Sequence, residues 1–491
     1  MTRRSWIAAA MVASRVSAAG DPLQKAMDAT RAAIPTAAAD PERPVYHFHP
    51  PANWCNDPNG TIFYRGWHHL FYQFNPYGSN WGNMHWGHAR SRDLVNWEHL
   101  PIALAPSEDQ GETAVFSGAT ALTRDGQPRI FYTSIGNRAP EQWMATPADD
   151  DLIAWTKSPR NPMLTTAIHG ALKVDDWRDP FLFIEGGVTY MVCGGNISGR
   201  RWGGGGEVQL YRATNGELTD WKHLGPVFEY RNREIVNIEC PNLFQLDGKW
   251  VLIISPHKPC EYFVGSLDVA RPRFTPEAHG ILDAGKDYAS NISKDASGRT
   301  ILWLWGRTEN PQSKGWNGVM AMPRILSIGT DGFLRQHPAP EFEKLRGEVV
   351  TAEAVPLTST PAMLRGIGGD CLELEVEIAM GRASSVRLDL RCSSSGKAGA
   401  SITINGDGLL SAGRASTLLG QNARHRLRIF LDKRVFEVYA NDGMAALYST
   451  TDAGREDSAI AASASGSGAE LVSVRAWPLK PAEFDLRRFQ V

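Results

Sequence analysis

The sequence lacks the features of several large protein classes. No apolar stretch among its 491 residues approaches the roughly 20 residues that a membrane-spanning helix needs. The formal net charge is −2, from 51 basic and 53 acidic residues, so neither nucleic acid nor a membrane is an expected partner. The spacing of the six cysteines fits neither a zinc site nor a dense disulfide framework, although a pairing of Cys371 with Cys392 stays open.

Helical periodicity is also scarce, because no long amphipathic pattern follows about residue 45. Short apolar or alternating runs bounded by Gly, Pro, Asn and Asp indicate strands, for example residues 69–73, 188–193, 250–254 and 301–305. The chain is therefore predicted to be all-β, and its length predicts more than one domain. Its 16 Trp, 12 Tyr and 47 Gly indicate many turns and exposed rings, which suit a carbohydrate ligand.

Residues 1–44 are expected to precede the folded domains. Arg3 and Arg4 are followed by an apolar stretch that runs to Ala13, and residues 16–18 are small enough for a signal peptidase. This arrangement resembles a twin-arginine export signal and predicts a secreted or periplasmic protein; the alternative is a frayed tail. Residues 19–44 are rich in Ala and Pro and are expected to form a helical or loose segment.

An acidic-Leu-x-x-Trp pattern recurs and ends at Trp97, Trp155 and Trp221. A repeat of this length in a strand-rich chain predicts a β-propeller of four-stranded blades, and residues 45–342 have room for about five. Asp57 and Asp179 each precede such a Trp by about 40 residues, as does Phe116 between them. These three positions are therefore expected to converge on one pocket at the axis of a five-bladed β-propeller.

The composition changes after about residue 345, where Ser, Ala and Gly become more frequent. Alternating runs at residues 371–378, 385–391 and 426–431 predict strands that continue to the C-terminus. Residues 350–491 are therefore predicted to form a separate C-terminal β-sandwich.

Three acidic residues are candidates for catalysis. Asp57 lies between Asn56 and Pro58 on a predicted bend, where a rigid carboxylate suits a nucleophile; the alternative is an Asx-turn. Glu239 follows an apolar residue, so partial burial is expected to keep it protonated as a general acid. Asp179 follows Arg178, which is expected to keep it ionised and able to stabilise positive charge. Two carboxyls with separate roles suggest glycoside hydrolysis.

These motifs resemble those of glycoside hydrolase family 32, the invertase, inulinase and levanase family of β-fructofuranosidases. The resemblance rests on residues 56–60, 178–180 and 239–240, and extends through residues 71–76, 81–83, 116–118, 282–286, 322–324 and 432–437. It implies a five-bladed propeller followed by a sandwich, with no metal or organic cofactor.

The resemblance also implies roles for individual residues. Asp57 corresponds to the nucleophile, Glu239 to the acid/base and Asp179 to the transition-state stabiliser. Implied sugar contacts are Asn56, Gln73, Trp81, Phe116, Ser117 and Arg178, and a pair associated with sucrose is Asp283 and Lys286. Cys55, Ile238 and Asn242 depart from the family pattern and are expected to border the pocket, where they would affect substrate preference.

Three functions follow as hypotheses. The leading one is a retaining, exo-acting hydrolase that releases β-fructosyl units from sucrose or from fructans such as inulin and levan. The second is a fructosyltransferase, including forms that close fructan ends into dianhydrides, since it shares the covalent intermediate. The third is a non-catalytic fructan-binding protein. The sequence leaves the linkage, endo or exo action and the oligomeric state open.

Overall fold

A computed structural model describes residues 21–197, 205–232 and 234–490. The chain is all-β, as predicted. The principal helix, Pro22–Ala38, begins at Asp21, whose Oδ1 accepts a 3.1 Å hydrogen bond from the Leu23 amide. A second helix, Arg487–Gln490, has four residues. No helix in the described ranges is long and apolar enough to cross a membrane. The predicted export signal lies outside the described residues.

Five sheets follow one another along the chain between residues 53 and 338, and all are antiparallel apart from two short strands that pair in parallel at the edges of the first. The strands of sheet 1 are Asn53–Tyr64, Trp67–Asn75, His85–Ser91 and Trp97–Leu104, with Trp316–Asn317 and Phe484–Asp485 added at its two edges. Those of sheet 2 are Glu112–Leu122, Pro128–Gly136, Arg138–Pro147 and Trp155–Lys157. Those of sheet 3 are Val174–Glu185, Val188–Ile197, Gly206–Ala213 and Trp221–Tyr230.

Sheets 4 and 5 complete this series. The strands of sheet 4 are Glu239–Leu246, Lys249–Ser255, Glu261–Asp268 and Arg273–Ile281. Those of sheet 5 are Asp287–Lys294, Thr300–Gly306, Arg324–Ile328 and Leu334–Pro338, with Val319–Met320 paired to the second strand. The first strand of each sheet contacts the first strand of the next sheet, and the first strand of sheet 5 contacts that of sheet 1. These five strands therefore form a closed ring.

The recurring Trp has the same place in sheets 1, 2 and 3, where it opens the fourth strand. The Leu three residues before each Trp adopts a left-handed backbone conformation, with φ of 63° at Leu94 and 60° at Leu152 and Leu218. The Trp155 indole donates to the Leu152 carbonyl at 2.8 Å, and Trp221 donates to the Leu218 carbonyl at 3.0 Å. The repeat thus encodes one turn that leads into an outer strand.

Two six-stranded antiparallel sheets follow. In spatial order, sheet 6 contains Val350–Pro356, Glu470–Pro478, Cys371–Ala379, Arg424–Asp432, Val435–Ala440 and Ala445–Thr450. Sheet 7 contains Ala362–Gly368, Ala459–Ser465, Ser385–Cys392, Ala400–Asn405, Leu409–Ala412 and Ala415–Leu418. Alternate residues of both sheets, such as Leu374 and Leu388, enter one shared core. Cys371 and Cys392 lie in different sheets and are free thiols.

A buried ionic cluster joins sheet 6 to the N-terminal sheets. Arg324 Nη2 lies 3.0 Å from Glu437 Oε2 and 2.5 Å from Asp287 Oδ2. His47 contacts Asp432 at 3.0 Å through Nδ1 and Glu437 at 3.2 Å through Nε2. Burial opposes the charge on His47, but the two carboxylates outweigh it and raise the pKa of His47 to about 9.

Candidate active site

Asp57 lies at a break in the first strand of sheet 1. Pro58 has no backbone N–H, and the pairing with the neighbouring strand shifts between Cys55 and Pro58. Asp57 Oδ1 accepts a 2.9 Å hydrogen bond from Asn56, and Oδ2 accepts one of 2.5 Å from the Ser117 hydroxyl. Burial raises the pKa of Asp57, although these two hydrogen bonds oppose the increase. Both carboxylate oxygens are thus held in place.

Asp179 occupies the first strand of sheet 3 with φ of 63°. Its amide donates a 2.9 Å hydrogen bond to the Thr133 hydroxyl, and its Oδ2 accepts one of 2.9 Å from the Cys240 amide. Burial raises the pKa of Asp179 to about 7, and the nearby carboxyls add to the increase against the effect of Arg178. Asp179 therefore keeps its proton to a higher pH than an exposed aspartate does.

Glu239 opens the first strand of sheet 4. Its Oε1 contacts Arg178 Nη2 and lies 3.4 Å from His257 Nε2, and its Oε2 accepts a 2.6 Å hydrogen bond from the Tyr288 hydroxyl. Burial acts to raise the pKa of Glu239, but the charges of Arg178 and His257 and the hydrogen bonds hold it below its usual value. Glu239 is therefore ionised at neutral pH.

The structure contradicts the pKa shifts expected for two of the acids. Arg178 was expected to keep Asp179 ionised, but its closest contact is with Glu239, and its Nε lies 3.8 Å from Asp179 Oδ2. The raised pKa expected at Glu239 is found instead at Asp179, whereas the pKa of Glu239 is lowered. The sequence could not show which carboxylate the Arg178 guanidinium would contact.

The three acids line one pocket of about 360 Å³. Nine of the predicted site residues line it: Asn56, Asp57, Gln73, Trp81, Phe116, Ser117, Arg178, Asp179 and Glu239. Gln73 donates a 3.1 Å hydrogen bond to the Ser117 hydroxyl. Trp81 is 60% exposed and meets the Phe116 ring edge to face, with centroids 6.1 Å apart. A sugar entering this pocket would meet aromatic surface first and then the carboxylates.

Asp283 and Lys286 do not line this pocket, so their predicted sugar contacts are wrong. The Asp283 side chain is fully buried, where Oδ2 lies 3.0 Å from Arg324 and Oδ1 accepts a 2.7 Å hydrogen bond from the Gly285 amide. Lys286 donates to Thr450 at 3.0 Å and to Glu309 at 3.2 Å. Both side chains stabilise the contact between the N-terminal sheets and sheet 6.

The three departures from the family pattern do not line the pocket either, contrary to expectation. Cys55 is fully buried in the apolar core of sheet 1, and Ile238 packs against Gly194 and Gly206. Asn242 donates to the backbone carbonyls of Cys240 and Ser290, at 2.9 and 3.1 Å. Their direct effect is on packing beneath the site rather than on contacts with a ligand.

Three residues of the lining were missed in the sequence: Tyr288, Trp305 and Arg307. Tyr288 and Trp305 lie in the first two strands of sheet 5, and Arg307 follows the second. The acidic repeat ends at Trp221, so it marks no equivalent position there. The aromatic residues of the predicted strand at 301–305 were the sequence feature that could have indicated these lining residues. In the described part of the chain, no group of three His, Cys, Asp or Glu residues could hold a metal ion.

Two family profiles cover most of the chain. The glycosyl hydrolases family 32 N-terminal domain matches residues 47–338, and the C-terminal domain of the same family matches residues 341–478. The chain belongs to glycoside hydrolase family 32. The resemblance inferred from the motifs is thereby confirmed, and with it the assignment as a glycoside hydrolase.

Relatives of family 32 extend over nearly the same length. A sucrose-6-phosphate hydrolase of Zymomonas mobilis is 31% identical over 466 residues, which cover 86% of this chain and 88% of the relative. A levanase of Bacillus subtilis is 28% identical, covering 89% of this chain and 70% of the relative. The crystal structure of fructan 1-exohydrolase IIa from Cichorium intybus has a TM-score of 0.80 at 24% identity, covering 91% and 99% of the two chains. This last likeness concerns the fold.

Proposed function

We propose that the protein is a retaining β-fructofuranosidase that releases terminal fructosyl units from sucrose or fructans. The observation that carries the proposal is the meeting of three carboxyls, from three different sheets, in one pocket rimmed by aromatic rings. Asp57 attacks the anomeric carbon and forms a fructosyl-enzyme intermediate. Glu239 donates a proton to the leaving oxygen, then takes one from the water that hydrolyses the intermediate.

The surroundings of Asp57 suit the role of nucleophile. Hydrogen bonds from Asn56 and Ser117 reach different carboxylate oxygens, so the group is fixed before substrate binds. The Cys240 thiol lies 3.6 Å from Asp57 Oδ2 and 3.7 Å from Asp179 Oδ2, between the two carboxyls. Asp179 is assigned as the stabiliser, because it lines the same pocket as Asp57 and a negative charge there can act on positive charge that develops at the anomeric carbon.

The proposed roles require a change in protonation, because the pKa of Glu239 is lowered and that of Asp179 is raised. Arg178 lies within ion-pair distance of both Asp179 and Glu239. Positive charge at the reacting carbon would favour the ionised form of Asp179, and a substrate that drew Arg178 away from Glu239 would raise the pKa of Glu239. Both changes leave Asp179 charged and Glu239 protonated, which is the pairing that the reaction needs.

We infer that sheets 1–5 are the blades of a five-bladed propeller, within a catalytic domain at residues 45–342. The closed ring of first strands supports this interpretation. The two facing sheets with a shared core support a β-sandwich domain at residues 350–491. We also propose export directed by the paired Arg3 and Arg4 in residues 1–44. Fractionation of cells that carry Arg3→Lys and Arg4→Lys, compared with the unaltered chain, tests that proposal.

A product profile tests the proposed activity. The purified protein is incubated with sucrose, inulin and levan, and the products are identified over time and over a range of substrate concentrations. Free fructose throughout, with methyl β-fructofuranoside formed when methanol is added, supports a retaining hydrolase. Longer oligomers or dianhydrides as main products would indicate a fructosyltransferase instead. If the protein turned over none of the three substrates and so behaved like its Asp57→Asn variant, the result would indicate a binding protein.

A further inference from the structure

Arg307 is a pocket cation that pairs with no anion in the described residues. Its guanidinium carbon lies 4.4 Å from the ring centroid of Tyr288 and 5.0 Å from that of Trp305. Its Nε is buried and makes no hydrogen bond. Arg178, the other guanidinium of the pocket, contacts three carboxylates. A half-buried guanidinium with unused donors is an energetic cost unless a ligand supplies the acceptors.

The contacts of Arg307 place it on the leaving-group side of the pocket. Its guanidinium lies over the ring of Tyr288, and the hydroxyl of the same ring donates to Glu239 Oε2 at 2.6 Å. If Glu239 protonates the leaving oxygen, the leaving sugar lies beside Glu239 and Tyr288. Asp57 is held by other residues, Asn56 and Ser117.

The charge of the pocket decides what kind of leaving group this cation can serve. The lining contains three carboxyls and two guanidinium groups: Asp57, Asp179, Glu239, Arg178 and Arg307. Their sum is no more than slightly negative, so the pocket offers no net attraction for a phosphate dianion. A neutral polyol, by contrast, can accept hydrogen bonds from a planar guanidinium at two adjacent hydroxyls.

We propose that Arg307 is a specificity-determining residue that donates hydrogen bonds to the hydroxyls of a neutral leaving sugar. The ligand class is the uncharged glucosyl or fructosyl unit released from sucrose or from a fructan end. The inference rests on the proposed fructosidase activity. Stacking on Tyr288 and Trp305 fixes the plane of the guanidinium, so little side-chain entropy is lost when the sugar binds.

The test compares two substrates that share the fructosyl unit and differ in the leaving group. Sucrose carries a sugar there and methyl β-D-fructofuranoside carries a methyl group. The variant Arg307→Met retains an apolar stem and removes the donors. Loss of hydrogen bonds from a charged donor predicts a fall of about 10- to 100-fold in the ratio of kcat/KM for sucrose to kcat/KM for the methyl fructoside. Arg307→Lys should give an intermediate ratio.

Arg92→Met is the matched control, because Arg92 stacks on Trp67 with its guanidinium carbon 3.9 Å from the ring centroid, on another surface. It should leave the ratio unchanged. An unchanged ratio in Arg307→Met, whether both rates fall together or neither falls, would overturn the proposal. A fall of more than about tenfold in the variant's ratio of kcat/KM for sucrose 6-phosphate to kcat/KM for sucrose would also overturn the proposal, because the preferred leaving group would then be anionic. If the unaltered enzyme cleaves neither fructoside, the proposed function itself fails.

Discussion

Arg178 contacts Glu239 across the pocket, and its Nε lies 3.8 Å from Asp179, its neighbour in the chain. One guanidinium therefore holds the pKa of the candidate acid/base down while it acts on the candidate stabiliser too. Individual substitutions in the pocket should therefore shift the pH dependence of activity and stability in directions that follow from these contacts.

Replacing Arg178 by Met should raise the pKa of Glu239, since burial then acts with less opposing positive charge. A general acid must be protonated to act, so the alkaline limb of the kcat/KM profile should move to higher pH. The measurement is kcat/KM for sucrose across the pH range. Overall activity should fall because the pocket loses a donor, and Arg92→Met should have neither effect. A limb that stays in place or moves to lower pH would contradict this account.

Replacing Ser117 by Ala removes the 2.5 Å hydrogen bond to Asp57 Oδ2. Because that bond opposes the increase in the pKa of Asp57 caused by burial, the pKa should rise further. A nucleophile must be ionised, so the acidic limb of kcat/KM should move to higher pH, with activity lower by about 10- to 100-fold. Ser384→Ala, just before the Ser385–Cys392 strand of sheet 7, provides the control. An unmoved acidic limb would show that Ser117 does not tune Asp57.

Replacing Asp179 by Asn should abolish most activity and stabilise the fold. The pKa of Asp179 is raised by burial from 3.8 to about 7, so the folded protein binds more protons than the unfolded chain between these values. The wild-type free energy of unfolding therefore decreases as pH rises through this window. Asp179→Asn lacks this decrease in the free energy of unfolding, so its Tm should exceed that of the wild type above pH 7 and match it near pH 4. Equal Tm values at both pH values would count against the raised pKa.

Replacing His47 by Gln should destabilise the contact between sheet 6 and the N-terminal sheets. The pKa of His47 is raised from 6.5 to about 9, so its stabilising contribution is complete below about pH 6.5 and is lost as pH rises through 9. Thermal unfolding should show a Tm difference between wild type and variant that is large at pH 6 and small at pH 10. A difference that does not change with pH would mean that His47 is neutral in the folded protein.

The ring of first strands could be anticipated because a single local pattern encodes it. The Trp97, Trp155 and Trp221 repeats each form the same turn, and that register places Asp57 and Asp179 at corresponding points of their strands. Glu239 has no such repeat after it, and its placement rested on the family motif. The local repeat thus predicted where Asp57 and Asp179 lie, and the family motif predicted the place of Glu239.

Contacts between distant segments could not be anticipated. Asp283 is held by Arg324 and by the amide of Tyr448, which lies 165 positions further along the chain. Arg307 enters the pocket because sheet 5 closes the ring beside sheet 1, and no sequence pattern marks it. The protonation of Asp179 and Glu239 depends on which carboxylate Arg178 reaches, which is a property of three packed sheets rather than of the motif.

The central claim is that Asp57 forms a covalent bond to the fructosyl unit. The most direct measurement is mass spectrometry of a Glu239→Ala variant that has been incubated with a β-fructosyl substrate carrying a good leaving group. Such a substrate needs no general acid, and hydrolysis of the intermediate is slow without the base. The account predicts a mass increase of one fructosyl group that maps to Asp57 and is absent from Asp57→Asn. Attachment at Asp179, or turnover without any covalent adduct and with inverted product, would contradict it.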